Sequence, residues 1–450
     1  MTSTNSIKSC ILQSTDLISA SKFLSAIQLL TTSVLPSKPK HARANFLLHS
    51  CYLRMGQPLK ALPPLLTALS YSPNENKSFL YYGISLVKSQ LGKPFKIDLE
   101  IAHKLAVKNK NSKVLYLVGN LLLKHKEYPL AIKAYLQLIT WKGNDLLVHK
   151  QLATCYRKQS QLREAKEQYR IILEGLQQKI NNTEKLSPEL MRHWFVACGG
   201  VNDSSCSVAA PESFVTGLYN KYADKFDDHL LNKLSYRTPT LLTQGLLKQV
   251  ERDANIIPPF KNVCDLGCGT GLCISALLEA GLVVPSSSSL KDGLGIQDGH
   301  DFNLQLSPPS IIGIDLSSAM VEKAREKQLY DVLEVGNMDN VLTKERQFDL
   351  VCCCDVYPYV GSLEEPFQRV RSSMKGSGNG FFIFSVEHWK TTNEKETFKI
   401  NSTGRFIHSK HYIQKVSIMN SFKVLHLESV VLRMNGGQPV NGIICVCRTV

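Results

Sequence analysis

The spacing of apolar and polar residues differs between the two parts of this chain. Over roughly the first 175 residues, apolar positions recur at helical spacing. Within that stretch Ala131 and Tyr135 are followed, 34 residues later, by Ala165 and Tyr169. A helical pattern with a fixed period predicts helix pairs that bury their apolar faces by stacking on one another. We therefore predict an all-α solenoid over residues 1–180.

The repeated small and aromatic positions have a specific resemblance. The segment Ala131-Ile-Lys-Ala-Tyr135 resembles the second helix of a tetratricopeptide repeat, in which a small residue lets two helices approach and an aromatic residue fills the gap between them. Looser copies, such as the one with Gly56 at a turn and Ala61 at the small position, extend the array to four or five repeats. The resemblance implies a concave face that binds a partner protein.

The C-terminal part has short apolar runs that alternate with helical segments. Alternating strands and helices predict an α/β fold with a parallel sheet. We expect a Rossmann-like domain over residues 213–450, with a mostly parallel seven-stranded sheet whose last strand is antiparallel. The predicted strands are 263–266, 311–314, 332–335, 348–354, 381–385, 422–432 and 442–447.

A glycine-rich turn follows the first of these strands. Gly267, Gly269 and Gly271 stand at alternate positions after Asp265. Glycines at this spacing leave bare backbone on one side of a tight turn, and the helix that follows begins with unsatisfied N–H groups. The turn thus predicts a nucleotide-type pocket at the C-terminal edge of the sheet.

The ends of the later strands carry further candidate residues. Asp315 ends the second strand and is followed by Leu316, and a carboxylate there can accept both hydroxyls of a ribose. Asn337 and Met338 follow the third strand, and Asp355 ends the fourth.

These motifs together resemble the class I S-adenosylmethionine-dependent methyltransferases of the type 11/12 kind. The order Asp265, Gly267, Gly269, Gly271 matches the first motif of that family, and Gly313–Met320 matches the second. The resemblance implies S-adenosylmethionine as cofactor, with Asp265 helping to hold its ammonium group. Asn337 stands where the family usually has an acid for the adenine, Met338 would lie against the ring, and Asp339 is a fallback. The methyl group and the acceptor would meet near Asp355.

A closer resemblance covers both parts of the chain. Three phrases, Tyr222–Leu230, Tyr236–Pro239 and Arg405–His408, are similar to predicted bacterial methyltransferases that also carry tetratricopeptide repeats. In many class I methyltransferases a helix similar to Phe214–Asp227 folds over the cofactor as a lid. The resemblance therefore implies cofactor contact by Tyr222, although an aromatic stripe at helical spacing is also typical of ordinary core.

A catalytic base is required only if an oxygen or nitrogen acceptor arrives protonated. His388, Glu387 and His408 are the candidates near the predicted sheet edge, although the pattern favours a structural or surface role for each of them. Tyr357 and Tyr359 are candidates for lining the acceptor site. A carboxylate acceptor would need no base, and the acceptor stays unidentified.

Two alternatives belong to other classes of protein. A nicotinamide oxidoreductase needs its third glycine one residue later, where this chain has Leu272, so the pattern disfavours it. A protein-interaction scaffold, with the repeats active and a weak or inactive methyltransferase-like domain, is the second alternative. The intact glycines and acids argue against it, and Asn337 leaves it open.

Polar and Ser-, Gly- and Pro-rich segments mark the boundaries. We interpret residues 181–212 as a capping helix with a linker, and residues 283–309 as a disordered insertion.

The net charge of +15 is concentrated in the N-terminal part. Residues 1–200 contain 28 Lys and Arg against 11 Asp and Glu, whereas the remainder contains 25 against 27. A basic surface favours an acidic partner. The repeats lack the interleaved aromatic residues of single-strand binders, so we expect an acidic protein and not nucleic acid.

The 13 cysteines form neither a disulfide framework nor a metal-binding pattern. Cys352, Cys353 and Cys354 lie consecutively on a predicted strand, where neighbours face opposite ways. We therefore expect no metal and a reducing compartment. No apolar run is long enough to span a membrane, and residues 1–20 do not form a secretory signal, so we expect an intracellular, cytoplasmic protein.

Overall fold

The computed structural model describes residues 4–143, 145–178, 186–200, 209–284, 310–376 and 378–450. It divides into two compact units, Met1–Leu186 and Ser187–Val450. We call these unit 1 and unit 2, and we describe each by itself.

Unit 1 is built from helices that pair in sequence order. They are α1 (Thr4–Ser19), α2 (Phe23–Leu29), α3 (Ala42–Arg54), α4 (Pro58–Tyr71), α5 (Lys77–Gln90), α6 (Lys96–Lys108), α7 (Ser112–Lys124), α8 (Tyr128–Lys142), α9 (Leu146–Lys158) and α10 (Leu162–Gln177). The helix α9 begins 34 residues after α7, and α10 begins 34 residues after α8. The predicted all-helical N-terminal region is confirmed, whereas its assignment as tetratricopeptide repeats stays a prediction.

The predicted small and aromatic positions lie where these helices meet. Ala131 and Tyr135 are fully buried in α8. A Cβ added at Gly119 of α7 would come within 2.7 Å of the Tyr135 ring, so the glycine is what lets the two helices approach. The Tyr135 hydroxyl donates a hydrogen bond to Asn120 Oδ1 at 2.7 Å. The ring thus fills the helix interface while its polar atom stays satisfied.

Unit 2 alternates helices and strands. Its helices are α11 (Pro188–Ala197), α12 (Glu212–Tyr219), α13 (Phe226–Asp228), α14 (Thr238–Arg252), α15 (Leu272–Glu279), α16 (Ser318–Glu326), α17 (Glu364–Ser372) and α18 (Lys410–Met419). Its strands are β1 (Asn262–Leu266), β2 (Ser310–Asp315), β3 (Val332–Val335), β4 (Leu350–Cys353), β5 (Phe381–Glu387), β6 (Phe398–Ile400), β7 (Phe406–His408), β8 (Phe422–Asn435) and β9 (Gln438–Thr449).

Seven of the described strands form one sheet in the order β3-β2-β1-β4-β5-β9-β8. The five strands β1 to β5 are parallel to one another, and β9 runs antiparallel to its two neighbours, β5 and β8. The predicted mostly parallel sheet with an antiparallel last strand is confirmed. Strands β6 and β7 form a separate antiparallel hairpin.

Each face of the large sheet is covered by a helical layer. One buried cluster joins sheet residues such as Phe382 and Phe384 to α17 and α18, and the other joins Val263 and Ile383 to α14 and α15. Parallel strands buried on both faces direct their carboxyl ends to one edge of the sheet, where open α/β folds bind ligands.

Val283, the first residue of the predicted insertion, is buried and pairs in parallel with Phe260, so it belongs to the folded part of unit 2. Residues 285–309 of the predicted insertion, and residues 181–185 and 201–208 of the predicted linker, lie outside the described residues.

None of the helices in the described ranges combines the length and the apolar composition that crossing a membrane requires.

Candidate functional site

A cavity of about 410 Å³ lies at the carboxyl ends of β1, β2 and β4 in unit 2. Of the residues predicted from the sequence, those that line it are Tyr222, Gly267, Gly269, Asp315, Leu316, Asn337, Met338, Asp355 and Tyr359. Asp265, Gly271, Tyr357, Glu387, His388 and His408 do not belong to its lining. We call the side formed by the glycine turn, Asp315 and Asn337 the cofactor half, and the side formed by Tyr219, Asp355, Tyr359, Arg405 and Arg433 the acceptor half.

The glycine turn depends on a left-handed backbone. Gly267 has φ +63°, and a Cβ there would overlap the side chain of Val356. Gly269 has φ +55° and lies open to the cavity. Gly271 has φ +88° and precedes the first residue of α15. The first two glycines therefore present backbone to the cavity, whereas Gly271 starts the helix.

Asp265 lies beneath the turn and is fully buried. Its Oδ2 accepts a hydrogen bond of 2.7 Å from the Tyr330 hydroxyl, and its Oδ1 has no partner. Burial raises the pKa of Asp265 to about 7, an effect that the Tyr330 hydrogen bond opposes. The expected contact with an ammonium group therefore has no support in this geometry, because β1 directs the carboxyl into the protein.

Asp315 is the acid that reaches the cofactor half. Its Oδ2 accepts from the backbone N–H of Gly269 at 3.0 Å, and its Oδ1 accepts from that of Ser317 at 2.8 Å. Burial raises the pKa of Asp315, while these two backbone hydrogen bonds lower it. The carboxylate is thereby fixed at the tip of β2, with lone pairs left for a ligand.

Asn337 and Met338 line the cavity after β3. The Asn337 Nδ2 donates to Glu212 Oε1 at 2.8 Å, and its Oδ1 accepts from the backbone N–H of Asp339. Asp339 itself forms an ion pair of 2.7 Å with Arg369 and is not part of the lining, so the fallback role predicted for it is unsupported.

Residues 212–233 cover the cavity as a broken helix. Helix α12 ends at Tyr219, and short helical turns follow over Ala223–Lys225, Phe226–Asp228 and His229–Lys233. Its polar side chains bind the rim of the cofactor half: Thr270 Oγ1 donates to Asp227 at 2.5 Å, and Ser317 Oγ donates to Asn220 at 2.6 Å. Tyr222 lines the cavity and shares a hydrogen bond with His229.

Asp355 anchors the acceptor half at the end of β4. It has φ +58°, and its carboxylate accepts from Ser385 Oγ at 2.9 Å and from Arg433 Nη1 at 3.0 Å. Thr238 Oγ1 donates to the same carboxylate at 3.4 Å. Ser385 in turn accepts from the backbone N–H of Asp355, which fixes the turn after β4.

Glu387 pairs with two arginines. Its Oε1 accepts from Arg405 Nη1 at 3.1 Å and also from Arg433 Nη2. Glu387 and Arg433 are both buried, with 6% and 8% of their side chains exposed. Glu387 stands at the end of β5 and does not belong to the lining of the cavity. This placement argues against the predicted role of Glu387 as a general base.

The two histidines predicted as bases are also engaged elsewhere. His408 is fully buried, its Nε2 lies 3.0 Å from the carbonyl oxygen of Gly361, and burial lowers its pKa to about 4. His388 Nδ1 lies 3.1 Å from the carbonyl oxygen of His408, and burial lowers its pKa as well. Neither ring belongs to the lining of the cavity, which argues against the predicted role of either histidine as a general base.

Only one of the two tyrosines predicted to line the acceptor site lies at the cavity. Tyr359 lines the cavity, and its hydroxyl lies 3.0 Å from that of Tyr219. Tyr357 is fully buried in the opposite layer against Phe367 and Phe384. The short helical turn at Tyr357–Tyr359 explains the difference, since it points residues two apart in different directions.

The sequence analysis did not single out Arg433, Thr270 or Glu212. Arg433 lies in β8, where strict alternation would place its side chain on the other face of the sheet from the buried Leu432. A register shift between Val431 and Arg433 turns both side chains inward. A lone arginine in an apolar strand was the only signal in the sequence.

Across the described ranges, no group of three or more His, Cys, Asp or Glu residues is placed to hold a metal ion.

Residues 236–421 match the family model described as a methyltransferase domain. No curated protein sequence matches the chain.

The chain is also similar to solved structures over part of its length. Magnesium protoporphyrin IX methyltransferase from Synechocystis, with bound SAH, has 14% identity and a TM-score of 0.36, and the match covers 53% of this chain and all of that one. A Clostridium acetobutylicum S-adenosylmethionine-dependent methyltransferase has 16% identity and a TM-score of 0.33, covering 52% of this chain and 99% of that one. MamA has 18% identity and a TM-score of 0.34, covering 40% and 98%.

On the match to the family model, residues 236–421 of the chain form a methyltransferase domain.

Proposed function

We propose that unit 2 binds S-adenosylmethionine in the cavity and transfers its methyl group to an oxygen or nitrogen acceptor. The observation that carries this proposal is Asp315, whose carboxylate is fixed by two backbone amides beside the open glycine turn. A carboxylate with free lone pairs suits the two hydroxyls of a ribose. Gly267 and Gly269 leave room for the methionine part of the cofactor, and Met338 offers an apolar surface to its adenine.

The cofactor supplies an electrophilic methyl group on a sulfonium. The residues of the chain then have to orient the acceptor and exclude water, because the leaving group is already activated by its charge. The broken helix over residues 212–233 suits the second task, since Asp227 and Asn220 hold it against the rim. The Asn337 Oδ1 accepts one bond from the backbone N–H of Asp339, and its second lone pair can accept a bond from the adenine without a charge.

Calorimetric titration of the full chain tests the cofactor. We expect S-adenosylmethionine and S-adenosylhomocysteine to bind in roughly the micromolar range, and NAD not to bind. Asp315→Ala should weaken both by about tenfold or more, which corresponds to about 1.4 kcal/mol for a charge-assisted hydrogen bond. Asp339→Ala is the matched control, because that acid lies outside the cavity.

Unchanged affinity in Asp315→Ala would refute the ribose assignment. If the wild-type chain bound neither compound, the alternative of a protein-interaction scaffold would replace the enzyme hypothesis.

We also propose that unit 1 recruits an acidic protein. The excess of Lys and Arg over residues 1–200 supports this. So does a groove of about 160 Å³ on α6, α7 and α8, whose apolar floor includes Leu99 and Leu122 and whose rim carries Lys96, Lys104 and Lys133 together with Glu100 and Glu127.

A mobility-shift comparison tests this second proposal. Poly-glutamate should bind the full chain and dissociate as salt is added, because the interaction is between exposed charges. Tighter binding of single-stranded DNA than of poly-glutamate, with a steep dependence on salt, would contradict it.

A further inference from the structure

The acceptor half contains a guanidinium whose protein partners leave it incompletely paired. Arg405 lines the cavity, and 26% of its side chain is exposed. It donates through Nη1 to Glu387, and it lies over the ring of Tyr359, 5.8 Å from the centroid, with a hydrogen bond to the side chain of that tyrosine. A guanidinium carries five N–H donors in a flat fork, so one carboxylate oxygen does not saturate it.

The charges around Arg405 are shared unequally. Arg433 forms ion pairs with both Asp355 and Glu387. Glu387 is therefore paired with two arginines, whereas Asp355 is paired with Arg433 alone among them. The other acids that line the cavity, Glu212 and Asp315, belong to the cofactor half. An additional anion in the acceptor half would therefore complete the pairing of Arg405 without displacing an existing partner.

The loop that carries Arg405 is held firmly. It connects β6 and β7, and Asn401 Oδ1 accepts from the backbone N–H groups of Thr403 and Arg405. On its other side, His193 Nε2 lies 2.9 Å from the carbonyl oxygen of Gly404, and Trp194 packs against Gly404. A side chain on such a support is positioned before its ligand arrives, which reduces the entropic cost of binding.

The surroundings of Arg405 in the cavity are mainly apolar. Val215, Leu218 and Val360 line this region with the rings of Tyr219 and Tyr359. Apolar walls suit a ligand with an apolar body, and they strengthen the attraction between a guanidinium and a carboxylate.

We propose that the acceptor is an apolar carboxylic acid, that Arg405 binds its carboxylate, and that the product is a methyl ester. This inference rests on the proposed function of the same cavity. One carboxylate oxygen forms a bond to the methyl carbon while the bond between that carbon and sulfur breaks. The electron pair of the broken bond stays on sulfur, and no proton moves. A carboxylate acceptor needs no base, so the step does not depend on Glu387, His388 or His408, none of which lines the cavity.

Calorimetry in saturating S-adenosylhomocysteine tests the acceptor class. The probes are straight-chain fatty acids from butanoate to dodecanoate and 3-phenylpropanoate, each compared with its own amide. We expect at least one acid to bind the wild-type chain ten times or more tightly than its amide. Arg405→Gln should abolish that preference, and Arg405→Lys, which keeps the charge but not the fork, should retain part of it. Acids and amides of equal affinity in the wild-type chain would overturn the proposal.

A second titration distinguishes the carboxylate of the acceptor from that of the cofactor. If Arg405 binds the acceptor, Arg405→Gln should bind S-adenosylhomocysteine within about twofold of the wild-type affinity. A tenfold loss, with unchanged affinity for methylthioadenosine, which lacks the amino-acid carboxylate, would assign Arg405 to the cofactor and overturn the proposal. Failure of the wild-type chain to bind S-adenosylhomocysteine at all would instead remove the proposed function.

Product chemistry gives an independent readout. With radiolabelled methyl donor, label transferred to a bound acid should be released as volatile methanol by mild alkali, because esters hydrolyse under conditions in which N-methyl groups persist. Label that resists alkali would contradict ester formation.

Discussion

The two halves of the cavity fix their acids by different means. In the cofactor half, the donors to Asp315 are backbone N–H groups of Gly269 and Ser317. In the acceptor half, the donors to Asp355 and Glu387 are mainly side chains, above all the guanidinium of Arg433. Backbone donors are present whatever the side chains are, and they do not carry a full charge. The cofactor half therefore depends on the shape of the chain, and the acceptor half depends on a few charged residues.

The largest effect should come from removing the arginine shared by the acceptor half. Arg433→Met leaves the buried Glu387 and the partly buried Asp355 without their common partner, and we expect the free energy of unfolding of unit 2 to fall by about 3–5 kcal/mol. Urea unfolding, monitored by hydrogen exchange in peptides from unit 2, measures this free energy. Arg325→Met is the control, since it removes only an exposed pair with Glu322 and should cost less than about 1 kcal/mol. Equal losses in the two variants would remove the distinction between the halves.

The stability of the cofactor half should depend more on backbone shape than that of the acceptor half does. Gly267→Ala adds a Cβ against Val356 at a residue with φ +63°. We expect unit 2 to lose about 2–4 kcal/mol of unfolding free energy, from the left-handed backbone and from overpacking together. Gly281→Ala, at φ +67° with open space around it, measures the backbone contribution alone. Adding Val356→Ala to Gly267→Ala should restore part of the stability, and no recovery would show that Val356 is not the obstacle.

A smaller effect concerns the acid beneath the glycine turn, which has no cation to hold it. An unfolded aspartate ionises near pH 4, whereas folded Asp265 keeps its proton to about pH 7. Between these values the unfolded state binds fewer protons, so the unfolding free energy should fall as the pH rises, by about 2–3 kcal/mol from pH 5 to 7. Asp265→Asn should lose this slope while keeping an acceptor for Tyr330. Asp228→Asn, at an exposed site, should keep the slope of the wild-type chain; a slope that persists in Asp265→Asn would place its origin elsewhere.

The same contrast explains what the sequence could predict. The cofactor half is assembled from short stretches that each follow a strand, so Gly267, Gly269, Asp315 and Asn337 could be found from local patterns alone. The mostly parallel character of the sheet followed from the alternation of strands and helices. Each of these inferences needed only neighbouring residues.

Only part of the acceptor half, Asp355 and Tyr359 after the fourth strand, could be found in this way. Asp355, Glu387 and Arg433 come from separate segments that meet through the pairing of β4, β5, β9 and β8, and Arg405 comes from the separate β6–β7 hairpin. The register shift in β8 that turns Arg433 inward leaves no mark in the pattern of residues. For Asp265, the sequence placed an acid correctly at the end of a strand, but the face of the sheet to which it points depended on the layers above and below.

The burial of the cysteines has a practical consequence. Cys264 and Cys353 are fully buried in the sheet of unit 2, and Cys51 and Cys155 are buried among the helices of unit 1. Burial raises the pKa of each of these thiols, and alkylating reagents attack the thiolate. Their alkylation should therefore require local opening of the surrounding structure. Mass spectrometry of the alkylated peptides would then give separate opening free energies for the helical array and for the sheet, from one sample of the unmodified chain.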